Sequence, residues 1–311
     1  MAQTMTNMLL ALIFGLIAMA LFTLLERRGL GLAQLRKGPN KAAIAALLLP
    51  LADALKLFSK ASSPTMLLNK IPFTVAPFFA LTCSILLWMM LPLFHPNFPI
   101  KNSLVLILAI SSLHVYAMLG MSWSSNSKYA SIGMTRGLAQ TISYEVSMAL
   151  ILIALLLPLK SLNLELVNSN GFSLMIALPL IMPIWFMTCV AETHRTPFDI
   201  AEGESELVSG FNTEYLGGKF AVIFMSEYLG ILVMSTLTVM LFILPGTPNS
   251  SLMIKIVLMS LISMMFIAIR ATLPRMRYDT LMWLAWGMIL PMALTICIYV
   301  FPMLTWQNFY P

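Results

Sequence analysis

Charged side chains are scarce in this sequence. Asp, Glu, Lys and Arg together make up 10% of the 311 residues, whereas a soluble domain usually carries about 25%. Hydrophobic residues account for 59%, so the natural solvent of the chain is a lipid bilayer rather than water. The net charge of +6 is then typical of basic loops at a membrane surface, and we do not expect the chain to bind nucleic acid.

Ligands for metals and cofactors are equally scarce. Cys83, Cys189 and Cys297 each lie alone in an apolar run without a CxxC partner, which argues against an iron–sulfur cluster or a zinc site. Of the three histidines, only His114 falls inside an apolar stretch, so no haem or other metal is expected. The phosphate-cradling motifs GxGxxG and GxxxxGK[ST] are absent, and binding of NADH or ATP by this chain itself is not expected either.

Long apolar stretches dominate what remains. Eight of them are long enough, at about 20 residues, to cross a bilayer: residues 2–25, 71–94, 103–123, 138–159, 173–191, 220–244, 252–269 and 281–304. No internal repeat is visible of the kind that marks secondary transporters. The sequence therefore predicts an all-α fold, a single transmembrane domain over residues 1–311 built as a polytopic bundle of about eight spans.

Basic residues are distributed unevenly along this pattern. The loops that follow odd-numbered spans contain 15 of the 18 Lys and Arg residues, and the even-numbered loops contain 3. Such asymmetry orients membrane proteins, with the basic loops on the inner side. The odd-numbered loops are predicted to face the cytoplasm or the mitochondrial matrix, with both termini on the opposite side.

The first of these loops contains an amphipathic pattern. Its apolar residues recur at helical spacing: Ile44, Leu47, Leu48, Leu51, Leu55 and Phe58. This pattern predicts a helix that lies along the membrane interface, and Pro50 should start or kink its second half. Such a helix either anchors the loop on the membrane or forms the wall of a cavity that opens toward lipid.

Several acidic residues lie inside predicted spans or crowd together in one loop, where a charged carboxylate costs free energy. Glu145 and Glu227 fall inside the fourth and sixth spans, where an ionisable group is a proton-relay candidate or a buried group held by a partner. The loop after the fifth span carries six acids against the single Arg195: Glu192, Asp199, Glu202, Glu204, Glu206 and Glu214.

Apolar residues interrupt this acidic loop, so it cannot be wholly exposed: Pro197, Phe198, Ile200, Leu207, Val208 and Phe211. Glu202 and Glu206 are predicted to lie one helical turn apart, where like charges repel and raise each other's pKa. The loop is therefore predicted to be a proton-accepting unit whose members influence one another.

Five segments carry a family resemblance that covers nearly the whole chain. They are LLERRGLGLAQLRKGPNK at 24–41, PLADALKLFSK at 50–60, GLAQTISYEVSMAL at 137–150, AETHRTPFDIAEGESELVSGFNTEY at 191–215 and PRMRYD at 274–279. In order and spacing they resemble the quinone-site membrane subunits of respiratory complex I, the proton-pumping NADH:ubiquinone oxidoreductase. The 191–215 block is the most specific of them.

The resemblance implies a role that the residues alone do not give. Family members are subunits of an H⁺-translocating enzyme in the mitochondrial inner membrane, are not catalytic alone and carry no redox centre. Ubiquinone is the substrate, and NADH, FMN and iron–sulfur clusters belong to partner subunits. The implied partners are the quinone-site subunits of the hydrophilic arm, neighbouring subunits of the membrane arm, and membrane lipid.

The resemblance also assigns residues. The acidic proton route of the family falls on Glu26, Glu145, Glu192, Asp199, Glu202, Glu204, Glu206 and Glu227. Its quinone-chamber positions fall on Arg27, Arg36, Asp53, Arg195 and Phe224. Tyr228, Arg136 and Arg277 are expected to support these charges. Where the family usually has Asn, this chain has His194, which either adds a titrating group or is a neutral replacement.

Two other functions remain open at the level of sequence. A stand-alone ion or proton transporter or channel would also have eight spans and buried acids, although it would not explain the acidic loop on the basic side. The related membrane subunit of a proton-pumping hydrogenase is the closer alternative. The high methionine content, 26 residues, favours a mitochondrial subunit, because animal mitochondrial genomes read AUA as Met.

Overall fold

The computed structural model describes residues 2–41, 46–61, 68–92, 102–159, 162–164, 179–243 and 252–309. Within these ranges the chain is helical and contains no β-strand. In chain order the helices are α1 (Ala2–Ala33), α2 (Leu49–Ser59), α3 (Lys70–Met89), α4 (Ser103–Ser125), α5 (Lys128–Leu159), α6 (Ile181–Glu192), α7 (Glu204–Leu207), α8 (Gly218–Thr238), α9 (Leu252–Thr272), α10 (Tyr278–Trp283) and α11 (Leu290–Phe309). A π-helical segment at Val239–Ile243 extends α8, and another at Leu284–Ile289 joins α10 to α11.

Seven of the predicted spans are present as long apolar helices, which confirms the polytopic helical bundle. They are Thr6–Ala33, Lys70–Met89, Ser103–Ser125, Lys128–Pro158, Gly218–Ile243, Met253–Thr272 and Tyr278–Pro302. The remaining predicted span covered 173–191. Residues 173–178 lie outside the described part of the chain, and the rest of that span contains the shorter apolar helix α6.

The predicted amphipathic helix is α2. Pro50 stands in its first turn, where a missing N–H is no loss because the first N–H groups of a helix have no intrahelical partner. The apolar residues Leu51, Leu55 and Phe58 are 59%, 71% and 58% exposed. Since no residue of α2 is buried by this chain, its apolar face is available to lipid or to a partner. Ile44, the first residue of the predicted pattern, lies outside the described residues, and Leu47 and Leu48 precede α2 in a turn, so the helix is shorter than the pattern predicted.

Helix α8 is the centre of the bundle. Every residue from Ile231 to Phe242 is buried, and the largest buried rings of the core include Trp185, Tyr144, Phe198 and Phe242. Helices α9 and α11 lie at the periphery, where apolar side chains such as Met253 and Ile298 remain exposed. A helix that is apolar all round belongs inside a bundle or against lipid. Helix α8 lies inside the bundle, and α9 and α11 lie where lipid can contact them.

Helices α1 and α3 are joined by one close contact. The indole N–H of Trp88 donates a 2.9 Å hydrogen bond to the carbonyl oxygen of Ala11. Gly15 makes room for that ring, because a Cβ at this position would lie 2.7 Å from the indole nitrogen. Small residues that allow close approach are a common device for packing helices in membranes.

The segments that follow the odd-numbered spans meet at one end of the bundle. The backbone N–H of Asn69 bonds to the carbonyl of Ser124 at 3.1 Å, which joins the start of α3 to the end of α4. At the other end, the N–H of Leu104 bonds to the carbonyl of Leu162 at 3.3 Å. Successive loops therefore alternate between the two ends of the bundle, as the predicted spans require. The basic loops lie at one end, and the even-numbered loops lie at the other.

We expect this alternation to be visible in cysteine labelling of the assembled protein. Ser59 and Asn126 are exposed at the basic end, and Asn102 is exposed at the other. A membrane-impermeant thiol reagent should therefore label Ser59→Cys and Asn126→Cys from one side only, predicted to be the inner side, and Asn102→Cys from the opposite side only. Native Cys83 and Cys189 are buried and Cys297 is partly buried, so labelling of the unmodified protein measures the background. Labelling of Ser59→Cys and Asn102→Cys from the same side would show that the span count is wrong.

Candidate functional site

A buried carboxylate at the end of α1 organises the charged end of the bundle. Glu26 accepts a hydrogen bond from Arg270 at the end of α9, and its Oε1 lies 3.5 Å from Nη1 of Arg195. The guanidinium of Arg195 also lies over the ring of Tyr228, 4.6 Å from the ring centre. Burial by itself lowers the pKa of Arg195, but the nearby carboxylates, Glu26 foremost, outweigh it and raise that pKa. Arg195 therefore remains a cation inside the protein.

The acidic loop between α6 and α8 is held against α5 by polar and glycine contacts. The side-chain amide of Gln140 donates to the carbonyl oxygens of Ala191 and Phe198, at 2.9 and 2.8 Å. Gly210 has φ +55°, and a Cβ there would lie 1.9 Å from the carbonyl oxygen of Ala201. Only glycine fits at that point, so the loop turns back tightly onto its own beginning.

The prediction that this loop is partly buried is confirmed. Phe198, Ile200, Leu207 and Phe211 are each at most 4% exposed. Val208 is the exception, since it is 66% exposed. The loop is therefore an irregular segment packed into the core, and some of its polar groups bond within it or to neighbouring helices.

Three acids of the loop have identified partners: Asp199, Glu202 and Glu206. Asp199 forms a 3.0 Å ion pair with Arg275. Glu202 accepts a 3.1 Å hydrogen bond from the amide of Asn212. Burial raises the pKa of Asp199, although Arg275 and other cations act in the opposite direction, so this group takes up a proton more readily than an exposed aspartate.

Glu206, the next acid along the loop, forms a 2.5 Å ion pair with Arg136. The expected repulsion of Glu202 and Glu206 across one helical turn is wrong. Helix α7 begins only at Glu204, so Glu202 lies outside it and each acid has its own partner. Glu204 is the first residue of α7, and its side chain lies outside the described part of the structure.

Inside the bundle, a small cavity of about 50 Å³ brings together side chains from four segments. Glu192 at the end of α6, Glu227 on α8, His114 on α4 and His194 all line it. Glu145 on α5 lies close enough to interact electrostatically with Glu192. The structure thus brings the three acids that the sequence placed in or beside spans toward one region. Among the described residues, no group of three or more His, Cys, Asp or Glu side chains could hold a metal ion.

A larger cavity of about 510 Å³ opens between α1, α2 and α8. The pair formed by Arg27 and Asp53, 2.7 Å apart, joins α1 to α2 at its edge. Phe220, Phe224 and Tyr228 form an aromatic wall along α8, with ring centres 4.5 and 6.0 Å apart in succession.

Glycine permits the close approach that forms this cavity. Gly217 has φ +66°, and a Cβ there would lie 2.7 Å from the carbonyl oxygen of Lys60. The start of α8 can therefore lie directly against the end of α2.

Four of the five predicted quinone-chamber residues lie in or next to this cavity. Arg27, Asp53 and Phe224 line it, and Arg195 lies behind the ring of Tyr228. Arg36 does not line it; its side chain is exposed and donates a 2.8 Å hydrogen bond to Gln34.

Of the three residues expected to support the charges, Arg136 and Tyr228 contact members of the site. Arg277 instead pairs with Asp279 on the surface, and Arg270 and Arg275 take the supporting role.

Several residues of the site could not be recognised from the sequence. Arg270 and Arg275 neutralise buried acids far away in the chain, and His114, Gln140 and Asn212 complete the polar contacts. The only available signal was general: a buried carboxylate requires a counter-charge or hydrogen bonds, and three basic residues lie at the end of α9 and just after it, Arg270, Arg275 and Arg277.

Comparison with known proteins agrees with this arrangement. The model of the NADH dehydrogenase family matches residues 6–301. Among similar proteins, NADH-ubiquinone oxidoreductase chain 1 of Heterololigo bleekeri is 46% identical over 296 residues, covering 92% of each chain. The proteins of the same name from Emballonura alecto and Hylobates lar are 46% and 45% identical over 305 and 303 residues, covering 95% of each chain. The chain therefore belongs to the NADH dehydrogenase family, as a relative of chain 1 of NADH-ubiquinone oxidoreductase.

Proposed function

We propose that this chain is the membrane subunit of proton-translocating NADH:ubiquinone oxidoreductase that forms the quinone entrance and the first part of an acidic proton route. It acts in the mitochondrial inner membrane with its basic loops in the matrix, as one domain and together with the other subunits. The observation that carries this proposal is the contact of Tyr228 with Arg195, because it links the large cavity to the buried acids. No feature favours a stand-alone transporter, and relatives of nearly full length carry the subunit's name.

The large cavity suits a ubiquinone. Its volume of about 510 Å³ is within the range of roughly 300–1,000 Å³ that small-molecule sites occupy. A quinone has a flat ring, two carbonyl oxygens and an apolar tail. Phe220 and Phe224 can contact the ring and the tail, and Arg27 and Lys56 are cations on the cavity wall that can donate to a carbonyl oxygen. The exposed apolar face of α2 provides the boundary with lipid.

The reaction at this site is reduction of ubiquinone to ubiquinol. The iron–sulfur clusters and FMN of partner subunits would supply the two electrons from NADH, and two protons are taken up from protein groups or water. This chain supplies no redox group. Its residues bind the quinone, shield it from lipid and water, and respond to the change of charge on the ring.

The response passes through Arg195. This cation lies between Glu26 and Tyr228 and interacts electrostatically with Glu227 and Glu202. A change of charge or position at the Tyr228 side of the large cavity alters the field that Arg195 exerts on Glu227. From there the proposed route continues through the small cavity to Glu192 and on to Glu145. Asp199, Glu202, Glu204 and Glu206 supply further acidic groups at the matrix end.

A photoreactive ubiquinone analogue should label this chain within 36–60 or 192–228, with α2 and the start of α8 as the main sites. Phe224→Ala should weaken labelling and raise the quinone KM by roughly 2- to 10-fold, since an aromatic contact contributes about 0.5–1.5 kcal/mol. Phe301→Ala is the matched control, because Phe301 lies on the outer face of α11 and is 62% exposed. Labelling confined to other subunits would reduce this chain to a scaffold.

The acidic route is tested by amide substitutions. Gln keeps the shape of Glu and still hydrogen-bonds, but it cannot release a proton. Glu192→Gln and Glu227→Gln should therefore assemble normally and slow quinone reduction coupled to pumping roughly tenfold or more, since positioned acid–base groups contribute about 10²–10⁴-fold. Assembly is read by native gel, followed by quinone-dependent NADH oxidation and proton uptake.

The control for these variants is Asp279→Asn. Asp279 forms an exposed ion pair with Arg277, with the two side chains 70% and 80% exposed, and such a pair contributes little to stability. This variant should behave like the wild type. If Glu192→Gln and Glu227→Gln both assemble and pump at the wild-type rate, the acidic route does not pass through this chain.

A further inference from the structure

The small cavity inside the bundle carries several polar side chains on a wall that is otherwise apolar. It lies between α3, α4, α6 and α8 and measures about 50 Å³. Four titratable side chains line it, His114, Glu192, His194 and Glu227, together with four hydroxyl groups, those of Ser84, Ser111, Thr193 and Ser226. The acidic route uses the two carboxyl groups, but it gives the two histidines no role.

Polar atoms on this cavity lack partners. Nδ1 of His194 and Oε2 of Glu192 are buried without a hydrogen-bond partner among the described residues. The hydroxyl groups of Ser84, Ser111 and Ser226 each donate to a carbonyl oxygen of their own helix, so their lone pairs can still accept. Buried polar atoms without a partner are costly, and water is the usual remedy.

The cavity has room for water. A water molecule takes up about 30 Å³ in the liquid and needs two to four polar partners. A volume of about 50 Å³ therefore accommodates one or two waters, and the imidazole, carboxyl and hydroxyl groups around it supply the partners.

We propose that water in this cavity joins His114 and His194 to Glu192 and Glu227, and that the two histidines carry protons between the two carboxyl groups. The inference rests on the proposed function, because it adds members to the acidic route. The proton balance is simple: a proton that reaches the bare nitrogen of a neutral imidazole is matched by a proton that leaves the other ring nitrogen. A water molecule carries it on to the next carboxylate.

The state of His194 suits this role. Burial, with smaller contributions from His114 and Arg195, lowers the pKa of His194 to about 4, so at neutral pH the ring is uncharged and has one donor and one acceptor nitrogen. The charged and titratable groups that face the pair are Arg195 on its own loop, Glu192 on α6 and Glu227 on α8, with Glu145 on α5 acting on Glu192.

Gly230 provides a sharp test of the water. It lines the cavity one helical turn after Glu227, and a Cβ built there meets no atom within 4 Å. Gly230→Ala should therefore displace water without a clash, and Ala is the better helix former. Gly230→Ser adds nearly the same volume with a hydroxyl group, which can donate and accept in place of the water.

The assembled complex should show this difference. We expect Gly230→Ala to lower quinone-dependent proton pumping on the order of tenfold, less than the full contribution of an acid–base group because both carboxyl groups remain. The quinone KM should not change, since the large cavity is separate. Gly230→Ser should pump at a rate closer to that of the wild type. Equal slowing by Ala and Ser would indicate a packing fault and overturn the proposal.

The histidines are tested separately. The double variant His114→Asn/His194→Asn keeps hydrogen-bonding groups on the cavity but cannot relay a proton, and it should slow pumping to a similar degree. In wild-type complex, bands of the imidazole rings should appear in the oxidised-minus-reduced infrared difference spectrum. They should shift when the histidine rings carry ¹⁵N, and be lost in the double variant.

Density for at least one ordered water within hydrogen-bonding distance of Nδ1 of His194 should also be present in a high-resolution map of the complex. A dry cavity, or a double variant that pumps at the wild-type rate while Glu192→Gln and Glu227→Gln are slow, would overturn the histidine relay alone. Wild-type pumping by the two Glu variants would instead overturn the proposed function together with this extension of it.

Discussion

Removing a carboxylate from water requires a compensating partner nearby, and Glu26 meets this requirement with two guanidinium groups at once. One of them, Arg270, is 244 residues away in the chain, and the other, Arg195, belongs to the loop between α6 and α8. A single buried group thereby fixes the relative positions of α1, α9 and this loop. Separation of Glu26 from both guanidinium groups would leave a buried charge uncompensated, which is far more costly than loss of an exposed pair. The position of Arg195 beneath Tyr228 follows from the same contact, and so does the link between the large cavity and the buried acids.

Helix α8 separates the two cavities and serves both. Phe220, Phe224 and Tyr228 recur every four residues and face the large cavity, whereas Glu227 and Gly230 recur at helical spacing on the face toward the small one. Residues three and four apart share one face of a helix, so one helix can present an aromatic surface and an acidic surface without a break in its hydrogen bonding. The size of each cavity separates their occupants: about 510 Å³ holds an organic ring and part of its tail, and about 50 Å³ holds only water.

Spans were predictable from the sequence because the thickness of the bilayer sets a length of about 20 apolar residues, and α2 was predictable because its apolar period and Pro50 are local. The contacts between segments were not. Nothing local shows that Arg275 neutralises Asp199, or that Glu202 ends up outside α7 and bonded to Asn212. Gly210 shows the limit clearly: the sequence marks a glycine, but only the fold shows that its missing Cβ would occupy the place of the Ala201 carbonyl oxygen. Long-range pairing depends on how the whole loop folds, so no single stretch of the sequence predicts it.

Burying a carboxyl group costs free energy, and the chain offsets this cost in two different ways, by pairing acids with guanidinium groups and by placing acids around a polar-lined cavity. Glu26, Asp199 and Glu206 each contact a guanidinium group, and such charge-assisted contacts are among the stronger polar contacts in proteins. The carboxyl groups of Glu192 and Glu227 instead share a cavity with imidazole and hydroxyl groups, and one oxygen of Glu192 has no partner among the described residues. Groups that can be hydrogen-bonded in either protonation state lose little when a proton arrives or leaves. The acids at the end of the bundle therefore also hold its segments in position, whereas the acids around the small cavity have room for water that can join them to further proton carriers.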